Sequence, residues 1–205
     1  MSSGSYIFKE LVDGIKYVGD FNGFYANENN PWGQMDFQNN ADKRMLLVRV
    51  IDKLPHNNIL DVGCGLGHIT YILKMLFTEQ VTGADISVEA IGRAKHLFPD
   101  VNFIQFDIRD DKVPLKFDVI IFNHILWYIL PDLKKAIDNA FEMLSKNGHI
   151  VFTHHFLKDQ KYGKDIIDGY FGFIRWLCKN GYFITHSQLL PDQESIVVLQ
   201  RGSSE

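Results

Sequence analysis

Asp61-Val62-Gly63-Cys64-Gly65-Leu66-Gly67 follows the apolar run Asn58-Ile59-Leu60 and precedes an amphipathic stretch through Ile69, Ile72, Leu73 and Leu76. Strand, glycine turn and helix in that order make the first half of a parallel βαβ unit. Gly63 and Gly65 let the chain turn sharply and bring backbone N–H groups close to a ligand that a side chain would block. The helix that follows offers its positive N-terminal end to negative charge. Asp85 closes the next apolar run, Gln80-Val81-Thr82-Gly83-Ala84-Asp85. A carboxylate at that strand end, about twenty residues on, can accept hydrogen bonds from both hydroxyls of a ribose.

Outward from this unit the alternation continues. Ser87 caps a helix that carries Ala90, Ile91, Ala94 and Leu97 on one face. Val101 to Phe106 reads as a third strand, and Phe117-Asp118-Val119-Ile120-Ile121-Phe122 as a fourth, apolar on both faces as buried parallel strands are. Pro131 opens a helix through Leu133, Ala136, Ile137, Ala140, Phe141 and Leu144, which Asn147-Gly148 ends, and His149 to Thr153 gives a fifth strand. A helix from about Asp165 to Asn180 follows. Tyr182-Phe183-Ile184-Thr185 and Ser195-Ile196-Val197-Val198-Leu199 then form a hairpin around Pro191-Asp192-Gln193. The whole predicts an α/β fold: a doubly wound, mostly parallel seven-stranded sheet with an antiparallel C-terminal hairpin and helices on both faces. Before it come an aromatic, Asn-rich segment from Phe21 to Phe37 and a helix from about Ala41 to Leu54, with Asn40 as its cap.

Composition narrows the function. Lys plus Arg total 21 against 25 Asp plus Glu, a net charge of -4, which disfavours a sequence-independent nucleic-acid binder. Cys64 and Cys178 belong to no C-x-x-C pair or Cys/His cluster, so neither a disulfide framework nor a structural zinc is expected. The polar Met1-Ser2-Ser3-Gly4-Ser5 start lacks the apolar core of a signal peptide, and no run approaches the roughly 18 apolar residues of a membrane span. A cytoplasmic location is expected. A dinucleotide fingerprint, G-x-G-x-x-G, wants its third glycine where this chain has His68, so a ligand without a pyrophosphate fits better.

Asp61 to Gly67, Gly83-Ala84-Asp85-Ile86-Ser87 and Phe117 to Ile121 together resemble the Rossmann-like, class I S-adenosylmethionine-dependent methyltransferases. The similarity covers about Asn58 to Thr153, and the C-terminal hairpin fits the family's reversed last strand. No internal repeat or low-complexity linker interrupts the chain, so one domain over 1–205 is expected, with 1–57 an N-terminal lid and helix and 58–205 a Rossmann-like core. The resemblance implies that Gly63, Cys64 and Gly65 line the methionine part of the cofactor, that Asp61 is among the cofactor-binding residues, that Asp85 holds the ribose, and that Ile86 packs on the adenine. Asp107 and Ile108 would meet the adenine amino group and ring, and Asn123 and His124 would lie near the sulfonium. Asp107, Asp110 and Asp111 also fit a plain solvated acidic loop; the strand-end position favours the ligand.

Asn30-Pro31-Trp32-Gly33-Gln34 resembles the Pro-Trp-Gly segment of small methyltransferases of the nodulation type, which act on amino or hydroxyl groups of sugars and other small metabolites. Trp32, stiffened by Pro31 and Gly33, could close over a ligand with Phe24 and Tyr25, or these rings could plug one end of the sheet. Arg44 could pair with the cofactor carboxylate, or be a solvated helix-face charge beside Asp42 and Lys43. Methyl transfer needs mainly alignment. A hydroxyl acceptor also needs a base, for which His124, His154 and His155 are the candidates, all following strands at the ligand-binding edge. The His pair lacks an evident third ligand, so no metal is expected. Lys158, Lys161 and Lys164 could receive an anionic, phosphorylated or nucleotide-linked acceptor, and Trp127 and Tyr128 could wall its pocket. Asn123-His124-Ile125-Leu126 lacks the Asn-Pro-Pro-aromatic pattern of enzymes that methylate base amino groups. The expected function is methyl transfer to an oxygen or nitrogen of a small polar metabolite: a sugar, a sugar nucleotide or a phosphorylated intermediate of surface-polysaccharide biosynthesis. A catalytically idle binding subunit and an NAD-dependent enzyme on the same fold are the alternatives.

Overall fold

The computed structural model describes residues 6–11, 14–36 and 41–202. An antiparallel hairpin of β1 (Phe8–Leu11) and β2 (Gly14–Tyr17) comes first. It leads into α1 (Phe21–Asn27), a 3-10 turn at Pro31–Gly33 and α2 (Ala41–Ile51). β3 (Ile59–Val62), α3 (His68–Leu76), β4 (Val81–Asp85), α4 (Val88–Leu97) and β5 (Asn102–Gln105) wind one half of the main sheet. The other half runs through β6 (Phe117–Asn123), α5 (Leu126–Ile129), α6 (Leu133–Met143), β7 (Leu144–His155), α7 (Gly169–Lys179), β8 (Phe183–Leu189) and β9 (Glu194–Gln200).

The seven strands lie in the order β5-β4-β3-β6-β7-β9-β8. Pairing is parallel from β5 to β7 and antiparallel at β7–β9 and β9–β8. This is the sheet the sequence predicts, and the fold is Rossmann-like. Strand alternation assigns the two faces. Leu60, Val62, Ile120, Phe122 and Phe152 point to one side, where Ile137 and Ala140 of α6 and Phe173 and Leu177 of α7 cover them. Ile59, Val119, Ile121 and Val151 point to the other, against Leu47 and Ile51 of α2 and Leu73 of α3. Each of the larger side chains, wholly removed from water, contributes roughly 1.5–3 kcal/mol. The C-terminal ends of β3, β4, β5 and β6 are thereby fixed side by side along one edge.

Local differences have local causes. The fifth strand starts at Leu144, not His149: Phe117 pairs with Leu144 and Val119 with His149, so Asn147-Gly148 lies in a bulge and not at a helix stop. Pro131 sits in a 3-10 turn, Leu130–Asp132, immediately before α6. The helix expected from Asp165 begins at Gly169, because the N–H groups of Ile166 and Ile167 close a turn onto the Gly163 carbonyl. Ser87 caps α4 as expected, its Oγ accepting from the Ala90 N–H at 3.1 Å. Asn40 lies outside the described residues. The β1–β2 hairpin is an addition to the sequence reading; Asp13-Gly14 between two short β-prone runs is the signal that marks it. No helix among the described residues is long and apolar enough to cross a membrane.

Candidate active site

β3 carries Asp61 to the sheet edge, and the chain then reverses through Gly63 (φ +72°) and Gly65 (φ +56°), backbone settings that L side chains rarely adopt. A Cβ on Gly63 would fall 2.4 Å from Ile125 Cγ2, and one on Gly65 within 2.5 Å of both Gln34 Nε2 and Tyr25 Oη. The loop is held from β4. Asp85 accepts from the Gly65 N–H through Oδ2 and from the Ser87 N–H through Oδ1, each at 2.9 Å. Burial pushes the Asp85 carboxyl up to about 6, the two backbone bonds pulling the other way. Asp61 is buried beneath the loop and accepts from the Thr70 hydroxyl at 2.7 Å; burial raises it to about 7. Burial also pushes the Cys64 thiol well up.

Residues 21–36 cover this floor. Asp20 caps α1 by accepting from the Gly23 N–H at 2.9 Å. Trp32 stands at φ +49° in the Pro31–Gly33 turn, its ring 4.4 Å from that of Phe24, 5.5 Å from Tyr25 and 5.9 Å from Tyr128. Gln34 joins cover to floor: its Oε1 accepts from the Leu66 N–H and its backbone carbonyl from Arg44 Nη2, both at 2.9 Å. Arg93 of α4 donates to the carbonyls of Tyr25, Glu28 and Asn29 at 2.6–2.8 Å. Ser87 Oγ donates to Asn22 Oδ1 at 2.8 Å.

Beyond Asp85, Ile86 offers a partly exposed apolar surface and Ile108 is buried behind it. The Asp107 carboxylate is gripped by Arg109, with Nε–Oδ1 at 2.8 Å and Nη2–Oδ2 at 2.6 Å. Burial alone would raise Asp107, but the Arg109 hydrogen bonds and charge outweigh it and hold the carboxyl below its ordinary range. Asn139 fixes this loop by donating to the carbonyls of Ile108 and Arg109.

The far end of the cleft belongs to the histidines. Asn123 Oδ1 accepts from the Thr153 hydroxyl at 2.5 Å, and the His124 N–H donates to the Thr153 carbonyl at 2.9 Å. These bonds hold His124 at φ +58°, a strained setting of the kind that clusters at functional sites. His124 Nε2 stands 3.1 Å from Glu194 Oε1, His155 Nδ1 3.8 Å from Glu194 Oε2, and Lys43 Nζ 3.7 Å from the same oxygen. His154 is buried edge-on between Trp127 and Phe156. Burial, with His124 and His155 nearby, holds its imidazole well below the ordinary range.

One cleft of about 540 Å³ runs from Trp32 and the glycine loop past Asp85 and Asp107 to the three histidines, in the usual range for a small-molecule site. Every residue expected to bind the cofactor or act as base lines it except Gly65, which lies under Gln34 and Tyr25; Phe24, expected in the cover, does not line it. Lys158, Lys161 and Lys164 are exposed in the loop after β7 and line none of it, Lys164 standing 3.8 Å from Asp168. Tyr17, Gln34, Lys43 and Arg109 line it without having been expected there. Among the described residues no group of three or more His, Cys, Asp or Glu could hold a metal ion.

The chain is 28% identical over 131 residues to nodulation protein S of Sinorhizobium fredii, covering 60% of this chain and 59% of that protein. It is 30% identical over 112 residues to trans-aconitate 2-methyltransferase of Escherichia coli, covering 53% and 44%. The chain thus spans about half the length of the curated relatives it matches. Among solved structures it superposes on N-methyltransferase NodS from Bradyrhizobium japonicum in complex with S-adenosyl-l-homocysteine, with a TM-score of 0.67 and 20% identity over 86% of this chain and 94% of that one. The family model described as a methyltransferase domain matches residues 53–171, from just after α2 into α7. The glycine loop, the Asp85 strand end and the histidine end all fall inside that span, and the chain belongs to the methyltransferase domain family.

Proposed function

We propose that the cleft binds S-adenosylmethionine and directs its methyl group to an oxygen or nitrogen of a small polar acceptor. The observation that carries this is Asp85: two of its roughly four lone-pair sites are taken by Gly65 and Ser87, and two remain for a ribose diol at the cleft. The left-handed turn at Gly63 leaves room for the methionine part beside Asp61 and Cys64, and Arg44 supplies the charge for its carboxylate. Ile86 gives the adenine an apolar face. Asp107 and Ile108 bound its other edge, with Arg109 fixing the carboxylate in place. Trp32 closes the cover, and Asn123 and His124 border the reacting centre.

When bound, the cofactor supplies an electrophilic methyl on a sulfonium; the protein's part is to align the acceptor and exclude water. The interlocked rings of Trp32, Phe24, Tyr25 and Tyr128 serve that exclusion. His124 and His155 flank a buried carboxylate and are suited to move a proton, whereas His154, boxed by aromatic rings, is a wall. Relatives named for nodulation and for trans-aconitate support a small metabolite. A sugar, sugar nucleotide or phosphorylated intermediate of surface polysaccharide, handled in the cytoplasm by a single domain, is the acceptor class we favour.

Titration calorimetry with S-adenosylmethionine and S-adenosylhomocysteine tests the reading. Micromolar binding of either is expected, and no binding at millimolar ligand defeats it. NAD is the control. Protection from thermal unfolding by NAD and not by S-adenosylhomocysteine would reassign the cleft.

A further inference from the structure

Glu194 is the least expected group near the cleft. It is 1% exposed at the start of β9, far in sequence from the glycine loop. Among the described residues neither of its oxygens has a hydrogen-bond partner by geometry, although His124, His155 and Lys43 converge on them at 3.1–3.8 Å. A buried carboxylate so placed requires compensating charge and donors, and Lys43 supplies the first. The nearest donor position is His124 Nε2, 3.1 Å from Oε1.

An ionised carboxylate only accepts. A neutral imidazole facing it lies lowest with the facing nitrogen protonated, which leaves the lone pair on the other nitrogen. For His124 that nitrogen is Nδ1. The backbone that carries the ring is fixed, with the His124 N–H bonded to Thr153, Thr153 bonded to Asn123, and β7 paired with β9 from His149 to His155. His155 presents its Nδ1 to the same carboxylate at the longer distance of 3.8 Å. Glu194 does not itself line the cleft, whereas His124 does.

We propose that Glu194 is a positioning residue that fixes the His124 proton on Nε2 and thereby makes Nδ1 the base of the site. The proposal rests on the methyl-transfer reading and deepens it toward a hydroxyl acceptor, which needs a positioned base as an amine does not. The acceptor O–H proton passes to Nδ1 while its oxygen bonds to the methyl carbon and the carbon–sulfur bond breaks, that electron pair remaining on sulfur. Glu194 stabilises the imidazolium so formed until the proton leaves to solvent.

The test reads the tautomer directly in protein without cofactor. Long-range ¹H–¹⁵N correlation of ¹⁵N-histidine-labelled protein at about pH 8.5, where imidazoles are neutral, should show His124 protonated on Nε2 with its lone pair on Nδ1. His124→Gln assigns the signal. In Glu194→Gln, whose amide donates as well as accepts, the tautomer ratio should move toward Nδ1–H by at least about tenfold, with S-adenosylhomocysteine affinity unchanged within about twofold. Wild-type His124 protonated on Nδ1, or an unchanged ratio in a folded Glu194→Gln, overturns the proposal. If Glu194→Gln does not fold, Glu194→Leu, which removes the acceptor and keeps the volume, takes its place, and a ratio unchanged there overturns it equally. A locked tautomer in protein that binds neither S-adenosylmethionine nor S-adenosylhomocysteine would instead defeat the methyl-transfer reading and leave the tautomer assignment standing.

Discussion

Asp85 of β4 accepts the Gly65 N–H at 2.9 Å, so the carboxylate proposed to hold the ribose also holds the loop beside it. Replacing Asp85 by Ala removes a ligand contact and frees a buried backbone donor, each at about 1–3 kcal/mol. We expect S-adenosylhomocysteine affinity to fall at least about tenfold and thermal stability to fall with it. Calorimetry and a melting curve on one preparation read both. An unchanged dissociation constant in folded Asp85→Ala removes Asp85 from the site.

The two buried acids set a pH dependence of stability. Burial raises Asp61 to about 7 and Asp85 to about 6, above the ordinary 3.8. Groups raised in the folded state bind protons there first, so their contribution is full below pH 3.8 and is lost as pH rises through about 6 to 7. Asp61→Asn keeps an acceptor for the Thr70 hydroxyl and removes its share of that slope. Its melting temperature relative to wild type should climb by at least about 3 °C between pH 5 and pH 8. A flat difference across that range contradicts the assignment.

Two glycines separate strain from simple flexibility. Gly65→Ala would press a methyl against Gln34 and Tyr25 at a left-handed φ, forcing cover and loop apart. S-adenosylhomocysteine affinity should drop at least about tenfold, since the loop proposed to hold the cofactor must shift. Gly92→Ala, exposed in α4 with nothing within 4 Å of the new atom, should stabilise by about 0.5–1 kcal/mol without touching affinity. Equal effects from both would mean the tight contacts are unimportant.

Arg93 ties the cover to α4 through three carbonyls, and Arg93→Lys cannot span them because an ammonium lacks the planar fork. Hydrogen exchange of 21–33 should quicken by about tenfold or more, while amides of β3 and β6 keep their protection. Unchanged exchange over 21–33 would show that the aromatic contacts alone hold the cover.

Much of this was legible before any coordinates. β3, β4 and β6 are short apolar runs that only a buried parallel sheet accommodates, and the glycine loop gives their direction. Topology then carries Asp85, Asn123 and His124 to one edge, because residues that follow parallel strands share an end. What stayed hidden depends on distant or lateral contacts. Glu194 reaches His124 only through the antiparallel pairing of β7 with β9. Arg93 reads as an ordinary charged helix residue until its guanidinium is seen against residues 25–29. His124, His154 and His155 look alike in sequence. Their surroundings divide them, two beside a carboxylate and one among aromatic rings.

Because β9 lies between β7 and β8 in the sheet, it must slot between two strands that leave the ribosome before it. The glycine loop, the cover and Arg93 all precede β9 in the chain, but the carboxylate beside His124 arrives only with Glu194. A chain interrupted shortly before that residue would retain the loop and Asp85 yet lack the partner of its base. On the proposed reading, the ligand site and the proton-transfer site are thus completed at different moments in the life of the nascent polypeptide, the second of them last.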